Sequence, residues 1–160
     1  MQKKAKKLSY LHMARARATS YETTILVRDC CLCLHVQRAA RALARHFDTA
    51  LRPLRLTNGQ FSLMMSLNRP EAPTVGAVAS LLAMDRTTLT AALKPLQRRR
   101  LIKITTDHND HRARLLELTS QGRELLARAV PVWTSTHAAV ETRLGPGEAD
   151  RLRKNLRTLS

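Results

Sequence analysis

Apolar residues recur at three- and four-residue spacing through most of the chain, so the pattern predicts helix after helix. From about Thr23 to Leu51 there is neither glycine nor proline. Val36, Ala40, Leu43, Phe47 and Leu51 mark one apolar face of a long helix, and Pro53 ends it. Arg38, Arg41, Arg45 and Arg52 fall largely off that face. So long and apolar a first helix in a small basic protein points to packing against a partner chain. The stretch LTNGQFSLMMSL restarts a helix, with Thr57 as N-cap and Gln60 three residues on in a capping-box arrangement. Phe61, Met64, Met65 and the leucines form its expected core face. After the connector NRPEAP, Thr74 caps a short helix, VGAVASLLA, with Val78, Leu81 and Leu82 expected inward. A tight AMD turn leads into DRTTLTAALKPLQRRR. Here Asp85 is the N-cap and Leu89, Leu93 and Leu96 form the inward face.

Beyond Leu101 the period changes from helical to alternating. LIKIT and RLLELT read as two short strands around the polar, turn-rich TDHNDHRA, which predicts a β-hairpin. Thr119 then caps a long helix that Pro131 should bend, with Leu125, Leu126, Ala129, Val132 and Trp133 on one side. A short last helix follows the Gly145-Pro146 break. Helix, turn, helix and hairpin together outline a winged helix. The fold class is therefore mainly α with a small β-hairpin wing: a winged helix-turn-helix over residues 57–118, with further helices over 23–56 and 119–160. Residues 1–22 form a basic N-terminal extension. Its first 17 residues hold Lys3, Lys4, Lys6, Lys7, Arg15 and Arg17 and no acid.

Charge narrows the choice of partner. The 28 Lys and Arg against 12 Asp and Glu give a formal net charge of +16, which favours an anionic partner. Aromatic residues make up only 3% of the chain, too few for a surface that stacks single-stranded bases, so duplex DNA is the better target. No apolar run approaches the roughly 18 residues of a membrane span, and the N-terminus lacks the apolar core of a secretory signal. A cytoplasmic protein with no membrane partner is expected.

The polar half of the DRTTLTAALKPLQRRR helix suits a duplex. Arg86, Thr87, Thr90, Ala91 and Lys94 turn outward, with Thr88 at the N-terminal edge. Small hydroxyl residues let a helix sit closely in the major groove, where they bond bases or phosphates and touch thymine methyls. Arg and Lys at the edges anchor phosphates. His108 and His111, near Asp107 and Asp110, form a loose ligand cluster without a fourth member, and a wing facing DNA explains them more simply. No phosphate-binding glycine loop, nucleophile elbow or Ser/His/Asp constellation is present, so neither an enzyme nor a cofactor is expected. Cys30, Cys31 and Cys33 crowd four residues and make no disulfide framework. On a continuous helix Cys30 and Cys33 share a face. Small apolar packing near the interface with a partner chain is their expected role, and thiol sensing the alternative.

LTNGQFSLMMSL, VASLLAMDRTTLTAALKPLQRRRLI and DHRARLLELTSQGRELL together resemble the MarR family of winged-helix transcription regulators, over about residues 25–145. The resemblance implies a homodimer built from the first helix and the last two, making 23–56 and 119–160 a dimerisation region. It implies repression at a short palindromic operator in double-stranded DNA, relieved by a small phenolic or anionic effector or by oxidation. By position, Thr87, Thr88, Thr90 and Lys94 match residues that meet the major groove and its flanking phosphates. Arg112 matches the wing arginine of the minor groove, Asp110 the acid that holds it, and Arg114 a DNA-backbone contact. The effector pocket is not assigned by sequence, with His35 and Arg38 as candidates by location alone. Ala91 departs from the arginine common in relatives, and Arg100 from a glycine that would end the helix in a left-handed conformation. The reading is a ligand-responsive repressor. A thiol-sensing repressor using Cys30 and Cys33, and a non-specific architectural DNA-binding protein, are the alternatives.

Overall fold

The computed structural model describes residues 19–108 and 110–159; the basic arm read over residues 1–17 lies outside them. The chain divides into two compact units, with the boundary between Arg41 and Ala42. The first holds α1 (Tyr21–Cys30) and the start of α2 (Leu32–Leu51).

The single helix expected from about Thr23 to Leu51 is thus two helices. Cys31 breaks it, with extended backbone at φ −76° and ψ 105°. Its thiol sulfur accepts the Leu34 N–H at 3.4 Å, taking one of the donors that a new helix leaves unpaired. On the other side of the break, His35 Nε2 bonds the Asp29 carbonyl at 3.2 Å. Neither glycine nor proline marks this joint. The side chains of Cys31 and His35 satisfy the freed backbone instead.

The second unit contains the rest. A 3-10 turn (Arg52–Leu54) closes α2, then α3 (Asn58–Ser66), α4 (Val75–Leu81) and α5 (Arg86–Arg98) follow. Strands β1 (Ile102–Thr106) and β2 (Arg114–Leu118) pair antiparallel, with Ile102 opposite Leu118 and Thr106 opposite Arg114. Long α6 (Ser120–Glu141) and short α7 (Glu148–Arg157) complete the chain. The Leu116 N–H donates to the Pro73 carbonyl, and Thr74 forms a bridge with Leu115, so the segment before α4 lies along β2.

Side-chain caps start the helices where the sequence placed them. Thr57 and Gln60 form a complete capping box, and Thr74, Asp85 and Thr119 each accept a backbone N–H three residues on. The core gathers Leu51, Phe61, Leu63, Met64, Val78, Leu89, Leu93, Leu96, Leu116, Leu118 and Leu126. The three leucines of α5 are essentially inaccessible, and each buried leucine contributes about 1.5–3 kcal/mol. Two inward assignments fail. Leu81 is 59% exposed, because α4 buries Val78 and Ala79 and half-buries Val75 and Leu82. That stripe is turned from the expected one, and Leu81 falls outside it. Met65 is exposed for the same reason, while Leu63 and Ser66 are buried, the Ser66 hydroxyl donating to the Leu63 carbonyl.

Three helix ends share one unusual device. Arg55, Ala83 and Arg100 adopt positive φ (52°, 50° and 55°) without being glycine. At Arg100, its N–H bonds the Gln97 carbonyl and the Leu101 N–H bonds the Leu96 carbonyl, the paired bonds of a Schellman motif. Ala83 and Met84 repeat the pattern onto Ser80 and Ala79, and Arg55 and Leu56 onto Arg52 and Leu51.

Candidate nucleic-acid interface

The second unit places α4, α5 and the wing in sequence, and their exposed edges meet at one cleft. The cleft has a volume of about 550 Å³ and is lined by Thr74, Val75, Gly76, Arg86, Thr90, Asp110, Arg112, Ala113 and Arg114. Five of the eight residues singled out for DNA are among them. Three are arginines and one is acidic, so the cleft carries net positive charge. Thr87, Thr88 and Lys94 are also exposed on α5 but do not line it.

Asp85 sets the start of α5. Its carboxylate accepts the Thr88 N–H at 2.8 Å and the Thr88 hydroxyl at 2.5 Å. That hydroxyl, together with the Thr88 and Thr87 backbone N–H groups, holds the Asp85 carboxyl below the usual carboxylate range. Thr88 is therefore an internal brace whose proton is already committed. Thr90 is committed as well, its hydroxyl donating to the Arg86 carbonyl at 2.7 Å. The Arg86 guanidinium lies over Gly76, where an added Cβ would stand 3.2 Å from Nη2.

At the wing, the Asp110 carbonyl accepts the Ala113 N–H at 2.8 Å and the Asp107 N–H donates to the Ala113 carbonyl at 3.1 Å. Asp110 holds Arg112 through the backbone, its carboxylate accepting the Arg112 N–H at 3.0 Å, rather than through the guanidinium. The Arg112 side chain is left exposed beside the cleft. Arg114 is tied inward, donating to the Thr106 hydroxyl at 2.8 Å and the His111 carbonyl at 3.2 Å, so it stiffens the hairpin. Sequence spacing missed these internal bonds, although a threonine four residues after a helical carbonyl is a recognisable signal for one.

The other candidates lie elsewhere. Cys30 and Cys33 are exposed in the single chain and Cys31 is half-buried. Cys33 accepts a bond from Gln37 Nε2 at 3.1 Å. His35 and Arg38 are exposed on α2, and His35 is engaged at the helix joint. Among the described residues no group of three or more His, Cys, Asp or Glu is placed to hold a metal ion. Nor is any described helix long and apolar enough to cross a membrane.

Residues 56–113, from the end of the 3-10 turn to the wing loop, match the model of the MarR family. The fold is similar to the M. tuberculosis transcriptional regulator MosR in complex with DNA. Identity is 36%, covering 81% of this chain and 92% of that one, with a TM-score of 0.74. It is also similar to the transcriptional repressor CouR bound to a 23-mer DNA duplex, at 28% identity over 83% of this chain and 94% of that one, with a TM-score of 0.74. CouR bound to p-coumaroyl-CoA gives 27% identity over 80% and 90%, with a TM-score of 0.71. The organic hydroperoxide resistance transcriptional regulator of Bacillus subtilis is 29% identical over 101 residues, 63% of this chain and 69% of that protein.

Proposed function

The chain belongs to the MarR family of DNA-binding transcription regulators, and from that premise we propose that it is a homodimeric repressor of a palindromic operator, released by a small effector. One observation carries the DNA-binding part: the cleft that joins α5 to the wing, with Arg86, Thr90, Asp110, Arg112 and Arg114 along it. In this reading α5 lies in the major groove, with Thr87, Thr88, Thr90 and Lys94 at its surface and Arg86 on the flanking backbone. Arg112 extends into the neighbouring minor groove, where concentrated negative potential favours a guanidinium. Asp110 and Arg114 shape the loop that presents it. DNA footprinting at moderate salt tests the proposal: a short protected palindrome is expected. Uniform, steeply salt-dependent protection of any duplex would instead mark a non-specific architectural protein.

Dimerisation is supported by apolar residues left in water. Val36 and Leu43 on α2 are 41% and 42% exposed, and Leu144, Leu152 and Leu156 near the C-terminal end are similarly open. Light scattering should give twice the mass of the 18.0 kDa chain. A small anionic effector is supported by CouR, a similar repressor captured with p-coumaroyl-CoA. A thermal-shift screen of phenolic acids and their thioesters tests it, since a ligand of the native state raises the melting temperature.

A second reading has its own support. Cys30 and Cys33 are exposed, and the similar Bacillus subtilis protein is a hydroperoxide resistance regulator. In this reading the sulfur of Cys30 or Cys33 attacks the distal oxygen of a hydroperoxide, the O–O bond breaks, the alcohol leaves, and the resulting sulfenic acid weakens operator binding. Peroxide release that persists unchanged in Cys30→Ser and Cys33→Ser variants rules this out.

A further inference from the structure

The outward face of α5 carries Thr87, Thr90, Ala91 and Lys94 at i, i+3, i+4 and i+7, all exposed. Its hydrogen-bond donors are few. The Thr90 hydroxyl donates its hydrogen bond to the Arg86 carbonyl, and the Thr88 hydroxyl donates its own to the Asp85 carboxylate. The Arg86 guanidinium stands at the edge of this face, in the cleft beside Gly76, and away from its centre. The two remaining donors, the Thr87 hydroxyl and the Lys94 ammonium, stand at opposite ends of the face. Between them lie the γ-methyl and a lone pair of Thr90 and the methyl of Ala91.

A guanine presents two acceptors to the major groove, N7 and O6, and needs donors to be read. A thymine presents its C5-methyl, which needs an apolar partner. The middle of this face has no free donor and two methyl groups. We propose that Thr90 and Ala91 form an apolar reader at the centre of α5 that selects thymine in each operator half-site by methyl contact. Guanine contact is then confined to the ends of the face, at Lys94 and Thr87. The inference rests on the chain acting as a sequence-specific regulator through α5.

The test begins by selecting binding sites for the full-length chain from a pool of random duplexes. Each thymine of the enriched half-site is then replaced singly by deoxyuridine, which keeps base pairing and removes only the methyl. At two thymines per half-site the affinity should fall about threefold to fivefold, the worth of one buried methyl group. Thr90→Ser, which keeps the hydroxyl and removes the methyl, should abolish the uridine penalty at one of them. Ala91→Arg, reselected from the same pool, should replace thymine by guanine at the other. An enriched half-site in which no thymine responds to deoxyuridine overturns the proposal, as does retention of thymine by Ala91→Arg. A pool with no enriched sequence overturns the reading as a sequence-specific regulator, and this inference with it.

Discussion

Gly122, in the first turn of α6, lies against the carbonyl oxygen of Leu101, with no room for a Cβ between them. The same carbonyl accepts the Thr119 N–H, and the Thr119 hydroxyl both accepts the Gly122 N–H and donates to the Arg100 carbonyl. The start of α6 is thereby fastened to the end of α5 and the start of the wing. Gly122→Ala should destabilise the fold by about 1–3 kcal/mol, the usual cost of overpacking a site whose neighbour is backbone. Urea denaturation checks this, and a midpoint equal to wild type would contradict the close approach.

Arg112 should contribute about 1–3 kcal/mol to operator affinity if its guanidinium enters the minor groove. The carboxylate of Asp110 bonds its backbone rather than its side chain, so truncating the side chain leaves the loop in place. Arg112→Ala should therefore weaken binding without changing thermal stability. Unchanged affinity in a titration against the selected operator would remove Arg112 from the interface.

Arg100 holds a left-handed conformation that costs a non-glycine residue roughly 1–2 kcal/mol. Among the described residues no side-chain hydrogen bond or ion pair of the exposed Arg100 offsets this. Glycine regains most of that strain and loses some to the greater freedom of its unfolded chain, so Arg100→Gly should raise stability by about 0.5–1 kcal/mol. A lower melting temperature for the variant would mean that the Arg100 side chain stabilises the fold through a contact of its own.

Asp85 links the recognition helix to pH. Its carboxyl is held below the usual range, so the ionised form is favoured in the folded state. The resulting stability is present above the unfolded pKa, about 3.9, and is lost as pH falls through the lower folded value. Asp85→Asn keeps a capping oxygen and cannot titrate there. The stability difference between wild type and variant should hold steady above about pH 5 and shrink on acidification below about pH 4. A difference that does not vary with pH would show that Asp85 is not the group responsible.

Much of this was legible in the chain because helix starts and inward faces are local signals. Thr57, Thr74, Asp85 and Thr119 cap where hydroxyl or carboxyl residues precede apolar periodicity. The hairpin was equally plain from its alternation around a polar tip. The joint at Cys31 was hidden because no glycine or proline makes it. Leu81 and Met65 misled because helices of seven and nine residues are too short for periodicity to fix which side faces inward. At the cleft, the positions of Arg86, Thr90 and Arg112 could be read, but the state of their donors could not. Spacing shows which side chains share a surface; it does not show which protons are already in use inside the helix.

Trp133 is the chain's one tryptophan. Its indole is stacked between Phe61 of α3, at a ring separation of 6.1 Å, and His137 of its own helix, at 4.7 Å. His137 in turn meets Glu141, which is paired with Arg153 of α7. All tryptophan emission from the molecule thus originates at the seam between the helix that opens the winged region and the long helix that follows the wing. Any displacement of α3 along α6 alters the surroundings of that single fluorophore, giving the native chain an optical gauge of the motion without an added label.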